Sequence, residues 1–499
     1  MDTGAEALGS TGVNAEPNPA DKPLGRWLLL LALVVGAVAS LGIPAHATYG
    51  ARVTADEPQY LLTALSLGRQ FDLDISDEIA NEQYRPFHAV DLDRQTAPLA
   101  GGRALSPHDP LLPLLLALPM RVGGWVAAKA FLAALAAGLA ALTAWLAVRR
   151  FSVNAVVALP VVGTFFCTAP LATYATQVYP EIAAALAVTT AVAAMSGRAS
   201  PRRAALLVVS VSALPWLSVK YVPVAAAAAL LGSHRFRHQL RVLAVIVGAF
   251  VAMGIVYVVV HRVIYGGWTA YASGDYFAER GESRVIGTSP NYVGRSRRLL
   301  GLLVDRGFGL GAWMPAWLLA PVALAALLRS RVAGRWWLVA PVAAGWFVAT
   351  FVALTMHGWW WPGRQVVVIL PLVVISVAWA VDRFRVLAAP FLVTGLLGIA
   401  TWCCTAFEAA TRRRTLVVDF ERTSNPWYRA WRLLLPDGLE KGLATDLRTA
   451  LWWLVAAGLV GIGLRLARRR TPDTHGLLRA NSTRSRALLG LDRSALDNL

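Results

Sequence analysis

Between Trp27 and Leu466 the chain passes again and again through long apolar stretches separated by short basic loops. A bilayer core of about 30 Å calls for roughly 20 apolar residues per helix, whereas the core of a soluble domain does not need runs of that length. The predicted spans are 26–45, 124–148, 152–169, 180–197, 204–219, 221–232, 242–264, 310–328, 336–355, 364–381, 386–405 and 449–466. The pair at 204–232 is short and broken by Pro215, Lys220 and Pro223. It reads either as two spans or as a re-entrant hairpin, and both leave the later orientation unchanged. The expected fold class is an all-α polytopic membrane protein of about twelve transmembrane helices.

Charge then sets the orientation. The chain is 57% hydrophobic and only 15% charged, yet carries a net charge of +18. Taken alone that excess suggests nucleic acid. Only four of the 47 basic residues are lysine, however, and thirteen arginines with a single acid, Asp382, crowd into 149–151, 198–203, 234–241, 329–335 and 382–385. Arginine in short loops marks the cytoplasmic side, so a nucleic-acid partner is not predicted. Both termini fall on that side, as a polar tail (1–25) and a basic tail (467–499), both predicted to be disordered. The expected location is the plasma (inner) membrane. Trp27 to Ile43, followed by Ala45-His46-Ala47, has the form of a signal peptide with a cleavage site. The preceding polar tail and the length of the apolar run favour an uncleaved first helix. Cys167, Cys403 and Cys404 cannot build a disulfide framework and read as packing residues.

Three long segments are left outside: 46–109, 265–309 and 406–448. The first is acidic, with nine carboxylates against five arginines over 46–108. Its opening, Thr54-Ala55-Asp56-Glu57-Pro58, suits a helix start: Asp is a good N-cap, Thr54 and Glu57 have capping-box spacing, and Pro58 fits a first turn. Equally, a carboxylate just outside the bilayer can take a proton from an attacking hydroxyl. The two roles are compatible. Residues 58–68 have helical apolar spacing, with Leu61, Leu62, Ala64 and Leu65 on one face. At eleven residues they cannot span a bilayer, so an interfacial helix is expected. Asp72, Asp74, Asp77, Glu78 and Glu82 read as a solvated helix face. A divalent cation is compatible with their density, but no binding-loop pattern is present and no metal ligand is assigned. His108 and Asp109 stand at the membrane boundary, where they either line a cavity or form a capped turn.

Several motifs taken together resemble a known group. Asp56-Glu57-Pro58-Gln59-Tyr60-Leu61-Leu62 after the first helix, then Phe71-Asp72-Leu73-Asp74, is similar to bacterial membrane glycosyltransferases of the GT-C fold. More narrowly, it resembles dolichyl- or polyprenyl-phosphate-sugar mannosyltransferase-like proteins. In the same order follow Ser106-Pro107-His108-Asp109-Pro110, Tyr174 to Glu181, Leu214 to Tyr221, Asp305 to Leu310 and Gly358 to Arg364. The resemblance covers roughly 25–400, making 26–405 the transferase core. The outer segment 406–448 and the last helix, 449–466, follow it. Gln365-Val366-Val367 stands where an aromatic residue is expected, and 406–448 matches nothing in the family pattern.

The resemblance implies transfer of a sugar from a polyprenyl-phosphate carrier, on the extracytoplasmic side, to a hydroxyl of an envelope lipid, polysaccharide or protein. It makes Asp56 the candidate base, with Glu57 beside it. Developing charge on a leaving phosphate calls for cations. The candidates are Lys220, costly at membrane depth unless functional or snorkelling; Arg364, at a helix mouth beside three tryptophans; and Arg306, which alternatively pairs with Asp305. Tyr179 and Glu181 complete the set, Glu181 either complementing a helix dipole or binding sugar hydroxyls or a cation. Lys129 reads as a snorkelling side chain. Arg295, Arg297 and Arg298 read as solvated or as the start of an interfacial amphipathic helix. Two other classes fit the membrane pattern: a transporter or flippase of lipid-linked sugars, and a non-catalytic envelope-assembly protein. The acids gathered in one outer loop, and the lack of internal repeats, favour the enzyme. No phosphate-binding loop, zinc-protease helix or nucleophile elbow occurs.

Overall fold

A computed structural model describes residues 22–93, 95–98, 102–268, 291–353, 355–440 and 442–468. The expectations for residues 1–21 and 469–499, and for 269–290 of the second outer segment, lie outside the described residues. The chain is mostly helical. Its only strands among the described residues are the two-residue pair Ala97–Pro98 and Ala104–Leu105.

The helices are α1 (Lys22–Ser40), α2 (Glu57–Arg69), α3 (Ser76–Ala80), α4 (Leu111–Arg150), α5 (Ala155–Phe166), the single turn α6 (Leu171–Tyr174), α7 (Glu181–Met195), α8 (Pro201–Leu217), α9 (Val222–Arg235) and α10 (Leu240–Tyr265). Further along the chain come Arg298–Val304, Leu319–Arg329, Arg335–Phe347, Leu370–Arg383, Ala388–Ala410 and Leu443–Arg468. Helix therefore occurs at each predicted span. Among the described residues, six helices are long and apolar enough to cross a membrane: Leu111–Arg150, Leu240–Tyr265, Arg335–Val352, Arg364–Arg383, Arg385–Ala410 and Leu443–Arg468. Many of their apolar side chains face outward, as on α10, where Val245, Val251, Ile255, Val259 and Val263 are exposed. That arrangement suits lipid rather than water, and the protein is membrane-embedded.

The span expected at 124–148 is the second part of α4. The apolar stretch 111–120 is the first part of the same helix, which breaks at Gly123 and Gly124. Gly124 has φ +61° and ψ −156°, a conformation open essentially to glycine. The break turns the outer end of α4 over α2.

The interfacial reading of 58–68 is corrected. Every residue from Glu57 to Ser66 is buried, polar ones included, and α2 packs against α4. Leu61 and Leu62 have no solvent exposure, each burial contributing about 1.5–3 kcal/mol. The sequence shows one apolar face. On the others the polar groups are satisfied: the Thr63 hydroxyl donates to the Gln59 carbonyl within the helix, and the following segment supplies the Asp72 and Asp74 carbonyls to Ser66. The solvated-face reading of the acidic run is corrected in part. Glu78 is fully buried, and Asp74 accepts from the Ser76 and Ala104 amides. No group among the described residues has the makings of a metal site.

Residues 406–448 fold back over the segment 46–109. Leu416 N–H donates to the His46 carbonyl at 2.8 Å, Val417 N–H to that of Ala47 at 3.1 Å, and Tyr49 Oη to Asp419. Arg295 and Arg298 are not lipid-facing: they donate to the carbonyls of Phe351 and Ala353, at the end of the helix that starts at Arg335. Those carbonyls lack intrahelical partners, so the arginines cap a helix C-terminus.

Candidate active site

The site starts from the turn before α2. Ala55 has φ +49°, a left-handed conformation that costs an alanine on the order of 1–3 kcal/mol. In this turn Glu57, not Asp56, takes the capping role. Glu57 Oε2 accepts from the Thr54 amide at 2.9 Å, and Oε1 from the Val178 amide at 2.6 Å. Asp56 occupies the N-cap position, but its side chain makes no capping bond. The capping alternative thus belongs to Glu57 and leaves the Asp56 carboxylate available for another partner.

That partner is Arg364, 308 positions later, whose Nη2 lies 2.6 Å from Asp56 Oδ2. Arg364 follows Gly363, whose φ of +88° makes the tight turn; a Cβ there would sit 2.7 Å from Leu310 Cδ2. The guanidinium stacks over the Tyr179 ring at 3.8 Å and lies 4.8 Å from that of Trp360. Its Nε donates to Glu181 Oε1 at 3.2 Å, and Lys220 Nζ donates to the same oxygen at 2.8 Å. Asp56, Glu181, Arg364 and Lys220 therefore form one nearly buried chain of alternating charge. The Asp56 and Lys220 side chains keep 19% and 17% exposure, while Glu181 keeps none.

The sequence-predicted residues sort as follows. Asp56, Tyr179, Glu181, Lys220 and Arg364 come together. Glu57 sits behind them as a backbone staple between α2 and the turn before α7. His108 is buried and stacks on Tyr60 at 4.6 Å, with Tyr60 edge-on to Tyr179 at 6.5 Å. Asp109 turns elsewhere. Its Oδ2 accepts from the Val219 amide at 3.0 Å, and its Oδ1 meets Tyr257 Oη at 3.0 Å and His261 Nε2 at 3.1 Å. Arg306 is not part of the group. Its partners are Glu440 at 3.0 Å and Asp437 at 3.5 Å, because Asp305 instead accepts from the Gly307, Phe308 and Gly438 amides. Lys129 does not snorkel; it is buried, donating to the Arg52 carbonyl at 2.8 Å.

Electrostatics gives the carboxylates different characters. Burial is the largest influence on Asp56 and raises its pKa, but the charge and hydrogen bond of Arg364 together with His108 and Lys220 hold the carboxyl below its ordinary value. For Glu57 burial dominates and pushes the pKa up, against the pull of Lys129 and the Val178 and Thr54 amides. Burial also pushes His108 down, opposed by Asp56. One buried acid is thus held ionised and exposed at an edge, while its sequence neighbour is bonded into the backbone.

Several polar atoms near this chain of charges are buried with no hydrogen-bond partner: Glu181 Oε2, Gln59 Oε1, and both Oε1 and Nε2 of Gln177. Such orphans are uncommon and call for an explanation. Residues that the sequence reading passed over are Trp360, Gln177, Tyr257 and His261. Gln177 and Trp360 lie inside the motifs Tyr174 to Glu181 and Gly358 to Arg364, and His261 carried a signal as an ionisable residue inside an apolar run. Beside the outer end of α4 lies an apolar groove of about 600 Å³, lined by residues such as Leu67, Phe71, Leu111, Val208, Trp216 and Met253. It does not contain the charged chain itself. The sequence matches no protein-family model, no curated protein and no solved structure.

Proposed function

We propose that the protein is an integral-membrane glycosyltransferase with a GT-C-like bundle of about twelve transmembrane helices. It moves a sugar from a polyprenyl-phosphate carrier to a hydroxyl of an envelope lipid, polysaccharide or protein on the extracytoplasmic side. The observation that carries this reading is the buried alternation Asp56–Arg364–Glu181–Lys220, which pairs a base with two cations.

The chemistry uses each group once. Asp56 takes the proton of the acceptor hydroxyl while that oxygen attacks the anomeric carbon. The bond from that carbon to the phosphate oxygen breaks on the opposite face, and the phosphate leaves with the electron pair, giving inversion. Arg364 and Lys220 stabilise the charge that develops on it. At rest Arg364 holds Asp56 ionised but weakly basic. A phosphate that draws the guanidinium to itself releases Asp56 and makes it a stronger base as substrate binds, which suits general-base catalysis. Sugar hydroxyls would satisfy the orphaned atoms of Gln177 and Glu181 Oε2. The apolar groove beside α4 has the lining an isoprenoid chain requires.

Reconstituted protein supplied with radiolabelled polyprenyl-phosphate sugars and envelope acceptors tests the reading. Labelled product that depends on Asp56 supports it. Label that crosses liposomes without product would establish the transporter instead.

A further inference from the structure

We propose that Asp109 and His261 share one buried proton and form a latch that positions Lys220, making His261 a positioning residue for the site. This rests on the reading above that Lys220 meets the leaving phosphate.

The proton count follows from geometry. His261 Nδ1 lies 2.8 Å from the Tyr257 carbonyl oxygen, which can only accept, so Nδ1 carries hydrogen. His261 Nε2 lies 3.1 Å from Asp109 Oδ1. With Nδ1 protonated, that contact needs a second hydrogen, on Nε2 as an imidazolium or on the carboxyl as an acid. In either form the pair holds one proton and is neutral overall. Both side chains are essentially sealed from solvent, where a bare carboxylate would be costly.

The pair links α10 to the turn that carries Lys220. Among the residues of α10, only Ile246, Tyr257, His261 and Tyr265 are buried, the last three being one stripe at helical spacing. Tyr257 stacks on His261 at 3.9 Å, Trp216 of α8 flanks both, and Tyr265 Oη donates to the His108 carbonyl at 3.2 Å. On the other side Asp109 Oδ2 holds the amide of Val219 at 3.0 Å. Val219 begins the one-turn 3-10 helix Val219–Tyr221, and the next residue is Lys220, bonded to Glu181. The Asp109 carboxylate thus ties α10 to the position of the lysine, alongside the packing of α10 on α8. The titratable groups facing the pair are His108, Tyr257 and Tyr265, with Lys220 one residue beyond the Val219 amide.

The test replaces His261 by Phe, which keeps the ring stack but no donor. Its first readout needs no substrate: hydrogen exchange across 218–222 in the detergent-purified full chain. The expected result is exchange faster by about tenfold or more in His261→Phe, largely restored in His261→Gln, which keeps an N–H for Asp109. The pair His261→Phe with Asp109→Asn, which leaves no buried charge, is also expected to exchange fast and guards against a merely unstable protein. Unchanged exchange in the single and the double variant overturns the latch. The second readout is a mutant cycle in the transfer assay. His261→Phe is expected to lower kcat on the order of tenfold in the wild-type background and not in Lys220→Ala. Equal losses in both backgrounds overturn the positioning role. If no donor supports transfer by wild-type protein, the proposed function fails while the exchange result still decides the latch.

Discussion

Asp56→Asn separates catalysis from stability better than any other change at this site. The Asn side chain keeps the shape and still offers an oxygen to Arg364 Nη2, now 2.6 Å from Asp56 Oδ2. Arg364 also retains Glu181 at 3.2 Å, so no cation is stranded. The cost is the difference between a charge-assisted and an ordinary hydrogen bond, about 1–2 kcal/mol, or a few °C in Tm. Loss of a general base removes roughly 10²–10⁴ in rate, about 3–5 kcal/mol of barrier. By contrast, Arg364→Met leaves Asp56 unpaired and Glu181 with Lys220 alone, at about 3–5 kcal/mol of stability. The assay is product formation from a labelled polyprenyl-phosphate sugar in liposomes, with melting of the same preparations. The pH dependence has a definite sign. Burial raises the folded Asp56 pKa, but Arg364, with His108 and Lys220, depresses it on balance, so the pair stabilises the fold above the unfolded value and is lost as pH falls through the folded one. The wild type therefore loses stability in acid that Asp56→Asn does not. A well-folded Asp56→Asn protein with more than about a tenth of wild-type kcat/KM would refute the base assignment.

Three further outcomes are expected. Glu78, through burial first and its Asp77 neighbour second, has its pKa pushed up to about 8 from an ordinary 4.5. The folded state then holds a proton the unfolded chain releases, so stability falls as pH rises between those values and levels off above. Glu78→Gln removes that fall, and melting curves at the two ends of the window detect it. Gly363→Ala forces a Cβ to within 2.7 Å of Leu310 Cδ2 at φ +88°. It should cost about 1–3 kcal/mol and lower kcat/KM by displacing Arg364; normal activity would show that the turn does not hold the guanidinium. Arg306→Gln breaks partly exposed pairs to Glu440 and Asp437, so stability should change by no more than about 1 kcal/mol with transfer unaffected. Lost transfer at an unchanged Tm would return Arg306 to the site.

Much of the fold was legible because it is set by local physics. Apolar runs and arginine-rich loops predicted helices at the positions where they are found, since backbone groups inside a bilayer must be satisfied within the segment. The apolar stretch 111–120 lay outside the expected spans, and two glycines join it through a bend to the helix expected at 124–148. The burial of α2 escaped because periodicity reports one face, whereas chain returning from elsewhere covers the rest. Lys129 and the arginine pair Arg295 and Arg298 looked lipid- or solvent-facing for the same reason: their carbonyl partners are remote in sequence.

By itself, the sequence determined a mostly helical membrane protein, an acidic segment after the first helix and a short roster of charged residues worth following. Tertiary structure decided which of them meet. It joined Asp56 to Arg364 and both cations to Glu181, sent Arg306 to a surface pairing, and turned Asp109 toward His261. Hydropathy and helix signals reach only a few residues along the chain. A buried charge finds its partner across hundreds, where the cost of leaving either one alone is what selects the pairing.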